Sequence, residues 1–183
     1  MSNIWFTSDQ HFCHAKSIIF GNRPFKDVTE MNEGLIKNHN ECVNPRDTVY
    51  MLGDFGFGNI EELRKIRYRL NGKIHYILGN HDFKNHLDRF GGWFSSMGVR
   101  KEININKQHI VLDHYSMRVW NRSHYNSWML YGHSHGKLQG QGKSFDIGVD
   151  TWEYKPVSFE QVQEKMKTLP DNFNLVKDRE WKK

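Results

Sequence analysis

The sequence has little cysteine, little proline and no long hydrophobic run. Only 2 of its 183 residues are cysteine, too few for a disulfide framework, so we expect a reducing cytoplasm. No segment approaches the roughly 20 apolar residues that a membrane-spanning helix needs, and the start of the chain has no secretory pattern. The excess of basic over acidic residues is also small: 26 basic and 21 acidic residues give a net charge of +5. The sequence therefore predicts neither a membrane protein nor a dedicated nucleic-acid-binding protein.

The length and the 37% hydrophobic content fit one globular domain. We expect that domain to span residues 1–183, with a short basic tail from about residue 171. Histidine is the abundant residue, with 11 copies, and the positions of these histidines carry most of the functional argument.

Short apolar runs alternate with amphipathic helical patterns, which predicts an α/β fold with layered packing. Capping residues Asp27, Asn59 and Ser158 open three helices, and the fewer helices after about residue 101 indicate antiparallel pairs or a second sheet. The predicted strands cover residues 4–7, 48–52, 74–78, 110–112, 128–131 and 145–149.

Five of these runs end in side chains that can bind metal, and three of the five have a glycine at that point. Because ligands bind at the carboxyl ends of strands in open α/β sheets, we expect these side chains to converge. The residues are Asp9 and His11, then Asp54, then Asn80 with His81 and Asp82, then Asp113 and His114, and finally His133 and His135.

The residue types predict a site for two metal ions. Asp9 and His11 are spaced to share one ion, and Asp54 has two oxygens with which to bridge a pair of ions roughly 3.5–4 Å apart. The four positive charges of two divalent ions would exceed the two negative charges of Asp9 and Asp54, which favours a bound anion. The ions would also lower the pKa of a bound water toward about 7. The nitrogen and oxygen donors suit transition metals, so we expect Mn²⁺ ahead of Fe, Zn²⁺ or Ni²⁺.

This series of motifs resembles the calcineurin-like metallophosphoesterase superfamily, and the segment 6–14 resembles its small single-domain bacterial and phage branch. The resemblance implies an α/β/β/α sandwich, in-line attack by a hydroxide that bridges the metals, and a proton donor at His81 oriented by Asp82. It also implies two ligand sets that share Asp54: Asp9, His11, Asp54 and His135 for one ion, and Asp54, Asn80, His114 and His133 for the other.

Two departures from the family pattern limit the range of substrates that we expect. Gly53-Asp54 is not followed by the arginine of the protein-phosphatase branch, and the chain is too short for a cap domain. We therefore expect an open site for small phosphoesters, with a preference for phosphodiesters or nucleotides. The alternatives are a nuclease acting on single-stranded nucleic acid and a non-catalytic protein-binding scaffold on the same fold; the oligomeric state stays open.

Three residues are candidate substrate contacts. His14, Arg23 and Arg118 could each contact phosphate oxygens. The alternative is a supporting or solvated role for His14 and an ordinary surface position for each arginine. Four aromatic residues after His114 could be core packing or a stacking wall for a nucleobase: Tyr115, Trp120, Tyr125 and Trp128. No role is assigned to Asp146 or Asp150.

Overall fold

The structure is a computed structural model, and it describes residues 2–84 and 91–176. Most of the predicted basic tail, residues 177–183, lies outside the described residues. The strands are β1 (Ile4–Thr7), β2 (Thr48–Met51), β3 (Lys73–Ile77), β4 (Ser96–Gly98), β5 (Arg100–Ile105), β6 (Gln108–Asp113), β7 (Trp128–Tyr131), β8 (Ser144–Asp146) and β9 (Val157–Ser158). The α-helices are α1 (Ala15–Phe20), α2 (Val28–Cys42), α3 (Ile60–Arg69), α4 (Asn80–Lys84) and α5 (Phe159–Thr168).

The strands form two sheets. The first has the order β4-β3-β2-β1-β9 and is parallel except for β9, and the second has the order β5-β6-β7-β8 with one antiparallel pair, β5 and β6. The prediction of antiparallel pairing and a second sheet in the later part of the chain is thus confirmed. Within the described residues, no helix is long and apolar enough to cross a bilayer.

The first sheet is covered on both faces because its side chains alternate with a period of two. Phe6, Leu52 and Ile77 point into the core between the two sheets. Val49 and Ile74 point the opposite way, into a core that includes Met31, Leu35, Leu63 and Ile66 from α2 and α3. Burial on both faces explains why these strands are short and apolar.

The second sheet follows the same alternation. Ile110 and Leu112 face the first sheet and share that core with Phe159 and Val162 of α5. Val111, Met129 and Tyr131 face outward and pack with Trp120, which lies in the loop before the 3-10 helix Ser123–Tyr125. The two-sheet layered α/β architecture is therefore confirmed, and Trp120 is a packing residue.

The helix starts follow the predicted caps. The side chains of Asp27, Asn59 and Ser158 accept hydrogen bonds from the first turns of α2, α3 and α5. The reciprocal capping bond is complete only at Ser158, because the carboxylate of Glu30 accepts from the backbone N–H of Lys26 rather than from that of Asp27. These caps fix where the three helices begin.

Candidate metal centre

The polar residues that follow β1, β2, β3, β6 and β7 meet at one edge of the two sheets. Asp9, His11 and His135 form one group whose candidate ligand atoms lie within 4.8 Å of one another, and Asp54, His114 and His133 form a second. A third group, His11, Asp54 and His81, connects these two. The Oδ1 of Asn80 lies 3.1 Å from the Nε2 of His114. All seven predicted metal ligands are thus brought together.

Asp54 lies between the two groups. Its Oδ2 is 3.6 Å from the Nε2 of His11, and its Oδ1 is 3.6 Å from the Nε2 of His114. Each oxygen therefore faces a different group, which is the arrangement that a bridging carboxylate needs.

Five of these seven residues have a left-handed backbone conformation, which L-residues adopt at a cost of roughly 1–2 kcal/mol each. Hydrogen bonds hold this conformation: the backbone N–H of Asp9 donates to Gly53 and that of His11 donates to Asp54, both at 3.0 Å. The strain is maintained by neighbouring loops and turns the side chains toward one point. The five residues are Asp9, His11, Asp54, His133 and His135, with φ between 47° and 67°.

Two glycines allow the loops to approach the ligands closely. A Cβ at Gly132 would overlap the Oδ2 of Asp9, and one at Gly79 would overlap the Oδ1 of Asp54. Any larger residue would have to displace a ligand, which accounts for glycine at these strand ends.

Three imidazoles have their orientation fixed by hydrogen bonds. The Nδ1 of His114 lies 2.7 Å from the carbonyl oxygen of Leu52, which can only accept, so this nitrogen carries the proton and Nε2 is free to ligate. The Nδ1 of His135 lies 2.7 Å from the Oδ2 of Asp150. The Nδ1 of His11 lies 3.2 Å from the Nδ1 of His14, which leaves its Nε2 facing Asp54.

Arg23 belongs to this framework and is neither a phosphate contact nor a surface residue, so both sequence-based interpretations are wrong. Its side chain is buried, and its Nε and Nη2 each donate to a carboxylate oxygen of Asp150 at 2.8 Å. Its Nη1 and Nη2 also donate to the carbonyls of Gln10 and Asp9 at 2.7 Å. The guanidinium thus connects the loop after β1 to the residue that holds His135.

Sequence reasoning missed Asp150. One signal could have found it, because Asp150 follows the predicted strand 145–149 just as the candidate ligands follow theirs. Asp146 was missed as well: its carboxylate accepts from the Ser134 hydroxyl and from the backbone N–H groups of Gly136 and Gly148. It therefore shapes the loop that carries His133 and His135.

Asp82 does not orient His81, which corrects the role that the resemblance implied. Its buried carboxylate accepts from the backbone N–H groups of Gly79, Asp54 and Phe55 at 2.6, 2.9 and 3.1 Å. The Nδ1 of His81 is buried without a hydrogen-bond partner. Both oxygens of Asp82 are committed to the backbone, so Asp82 fixes the loop that carries Asp54.

The remaining candidates divide between the site and the surface. His14 lies at the site, with its ring stacked on Phe57 at 4.9 Å between centroids. Arg118 is exposed, and its guanidinium lies over the ring of Phe173, so its contact is with that ring rather than with the ligating groups. Tyr115 is exposed and contacts the ring of His133.

The electrostatics of the site suit a cation. Burial raises the pKa of Asp9 to about 8, with the Asp54 charge adding to the effect and His135 opposing it. Burial, reinforced by His135 and Arg23, holds the pKa of His11 far below its ordinary value, so its imidazole is neutral. Burial lowers the pKa of His135, but Asp150 and Asp9 outweigh this and raise it overall.

Two ligand atoms in the first group lack any hydrogen-bond partner. They are the Oδ1 of Asp9 and the Nε2 of His11, both buried. Buried polar atoms are almost always satisfied, so a carboxylate oxygen and a neutral imidazole nitrogen left open side by side fit a bound divalent ion.

Comparison with known proteins identifies the family of the chain. A family model described as the calcineurin-like phosphoesterase superfamily domain matches residues 3–148. An uncharacterized protein of Methanocaldococcus jannaschii is 34% identical over 171 residues, covering 88% of this chain and 90% of that protein. The Gene 66 protein of Mycobacterium phage D29 is 24% identical over 201 residues, covering 93% of this chain and 99% of that protein.

Two solved structures share the fold at low sequence identity. A protein of unknown function from Aquifex aeolicus gives a TM-score of 0.69 at 22% identity, covering 90% of this chain and all of that one. A structure described as a novel archaeal phosphodiesterase gives a TM-score of 0.51 at 16% identity, covering 86% of this chain and 98% of that one.

Proposed function

The chain belongs to the calcineurin-like phosphoesterase superfamily, and from that premise we propose that it hydrolyses small phosphodiesters or nucleotides with two divalent metal ions. The observation that carries the proposal is the pair of ligand groups joined by Asp54, with the Oδ1 of Asp9 and the Nε2 of His11 buried and unpartnered. The two-metal count, the ligand roles and the substrate preference are parts of this proposal.

The ligand roles follow from the two groups. Asp9, His11 and His135 would hold the first ion, His114, His133 and Asn80 the second, and Asp54 would bridge them. When bound, such ions neutralise phosphoryl charge and lower the pKa of a water toward about 7, which supplies a nucleophile at neutral pH. The mixed imidazole and oxygen donors support Mn²⁺, with Fe, Zn²⁺ or Ni²⁺ as the alternatives.

His81 is proposed to protonate the leaving oxygen. Its backbone N–H donates to the Oδ1 of Asp54 at 3.0 Å, which ties its position to the bridging carboxylate. Its Nε2 lies 3.9 Å from the Oδ2 of Asp54, and the side chain is partly exposed, so a substrate can reach it. Asp82 is proposed to act indirectly, as a positioning residue for the loop that carries Asp54.

Phosphodiesters are favoured over monoesters because the arginines suggested as phosphate clamps are committed elsewhere. A monoester dianion is best held by guanidinium groups that bind two oxygens. Arg23 donates its hydrogen bonds to Asp150 and to backbone carbonyls, and the guanidinium of Arg118 lies over the ring of Phe173. A diester carries a single negative charge and needs fewer such contacts.

The proposal is tested with a substrate panel and a leaving-group comparison. The Mn²⁺-loaded protein is assayed with p-nitrophenyl phosphate, bis-p-nitrophenyl phosphate and 2′,3′-cyclic nucleotides, and we expect the diesters to be preferred. His81→Ala should keep both ions and lose about 10²–10⁴-fold in kcat for alkoxide leaving groups. The loss should be smaller for p-nitrophenolate, which leaves without a proton.

The control variant is His124→Ala, since His124 lies in the 3-10 helix Ser123–Tyr125 and packs on Tyr125 rather than on the ligands. Inactivity on every ester together with purification free of stoichiometric metal would favour the non-catalytic scaffold. Cleavage of a single-stranded oligonucleotide that is lost in Asn80→Ala would favour the nuclease.

A further inference from the structure

Three exposed aromatic rings surround the candidate metal centre. They are Phe20 at the end of α1, Phe57 in the loop after β2 and Tyr115 in the loop after β6, which together we call the aromatic rim. Their exposed fractions are 41%, 39% and 46%. Phe12 and Phe55 near this edge are buried, whereas Phe83 on α4, beside Asp82, is 48% exposed like the rim.

Each ligand group has a rim ring against both of its histidines. The centroid of Phe20 lies 5.7 Å from that of His11 and 5.2 Å from that of His135. The centroid of Tyr115 lies 5.0 Å from that of His114 and 4.7 Å from that of His133. The two rings therefore flank the two halves of the centre.

Phe57 lies beside the proposed proton donor. Its ring stacks on His14 with an interplanar angle of 24° and meets His81 edge-on at 5.4 Å. A leaving group protonated by His81 would pass next to this ring. The rim thus offers apolar contact on the leaving-group side as well as over the metal ligands.

Of the two arginines considered as phosphate clamps, the one in the framework of this site offers a substrate no donor. Arg23 is buried under the loop after β1, and its donors are taken by protein acceptors. The rim can supply apolar contact to the organic part of a phosphoester. Aromatic side chains bind nucleobases by stacking with little dependence on base identity, and exposed apolar patches mark binding sites.

We propose that the aromatic rim stacks the base of a nucleoside phosphodiester whose phosphate lies at the metal centre. This inference rests on the proposed function and adds a substrate class to it. Stacking is worth about 1–3 kcal/mol per base, which corresponds to a factor of roughly 5–150 in affinity.

The test compares two esters that share one leaving group. Thymidine 5′-(p-nitrophenyl) phosphate carries a base, and methyl p-nitrophenyl phosphate does not. We expect kcat/KM for the thymidine ester to exceed that for the methyl ester by about 5–100-fold, mainly through KM. In Phe20→Ala and Tyr115→Ala, this ratio should fall toward one.

Tyr68→Ala is the matched control, because Tyr68 is an exposed ring on α3 and its removal should leave the ratio unchanged. Calorimetry provides a readout apart from turnover: thymidine 5′-phosphate should bind more tightly than methyl phosphate, and the rim variants should lose the difference.

The outcomes separate the two proposals. Equal kcat/KM for the two esters in the wild-type protein would overturn the rim proposal and leave the phosphodiesterase proposal standing. Equal losses on both esters in the rim variants, with weaker metal binding, would show that the rings only support the histidines. No hydrolysis of either ester would contradict the proposed function itself.

Discussion

His135 and Asp150 form an imidazole–carboxylate pair that determines which nitrogen faces the first ligand group. Asp150 accepts at 2.7 Å from Nδ1, and Arg23 holds both carboxylate oxygens of Asp150. Hydrogen bonding and the nearby positive charges keep the pKa of Asp150 below its ordinary value, although burial acts in the opposite direction. Such partners commonly tune metal affinity as strongly as the ligands themselves.

Replacing Asp150 with Asn should weaken the first metal site selectively. The NH2 group of the new amide is a donor, and it would face a donor of either Arg23 or His135. The hydrogen bond to that residue would then be lost. We expect affinity for Mn²⁺ in the Asp9–His11–His135 group to fall by about 10–100-fold, while the Asp54–His114–His133 group changes little. Calorimetric titration with Mn²⁺, with electron paramagnetic resonance to follow coupling of the two ions, measures both.

Glu164→Gln, which removes an exposed carboxylate from α5, serves as the control and should bind metal like the wild-type protein. Two unchanged Mn²⁺ affinities in Asp150→Asn, with only a lower unfolding temperature, would mean that Asp150 is structural alone.

At the scale of elements, the end of α2 is joined to the turn after α3 by His39. The imidazole is buried, and its Nε2 lies 2.9 Å from the carbonyl oxygen of Asn71, just before Gly72. Gly72, the last residue before β3, has a φ of 93°, a left-handed conformation that favours glycine. This contact fixes the two helices of the outer layer at the end of the sheet opposite the metal ligands.

His39 should make stability depend on pH. Burial lowers its pKa from 6.5 to about 4, with the Asn71 carbonyl opposing the shift. The unfolded chain takes up this proton near pH 6.5 and the folded protein only near pH 4, so stability is complete above pH 6.5 and declines as pH falls through this window. We expect the wild-type protein to lose about 2–3 kcal/mol from this group between pH 7 and pH 4.5.

Urea unfolding of the wild-type protein and of His39→Gln, both in chelating buffer, measures this effect. The two proteins share every other titrating group, so the difference between their pH profiles isolates His39. Parallel profiles would show that the buried imidazole does not control acid stability.

At the scale of the whole molecule, the candidate metal centre joins the two sheets. Asp9, Asp54 and Asn80 follow strands of the first sheet, and His114 and His133 follow strands of the second. A ligand that binds both sets stabilises the folded state relative to the unfolded chain, because the unfolded chain does not hold these groups together.

Mn²⁺ should therefore raise the melting temperature. At a free concentration about 100 times Kd, binding adds about 2.7 kcal/mol, which for a domain of this size corresponds to a shift of about 5–10 °C. Mg²⁺ at the same concentration should give a smaller shift because imidazole is a poor ligand for it. Differential scanning fluorimetry with and without chelator, with Asp54→Asn as the control, measures both; an equal shift in Asp54→Asn would contradict the bridging role.

The sequence by itself determined the candidate ligands, their order and the edge of the sheets at which they would meet. This was possible because apolar runs reveal where strands end, and parallel strands bring those ends to one edge. The same alternation of apolar residues predicted the layered fold and, together with the capping residues, the main helices.

Only the tertiary structure decided how the site is supported. Arg23 and Asp150 are 127 residues apart, Asp82 holds the backbone of the Asp54 loop, and the rim rings come from three separate segments. These contacts depend on left-handed turns and on loops meeting across the two sheets, so no local pattern encodes them. The donors are a property of each strand end, whereas their orientation is a property of the packed molecule.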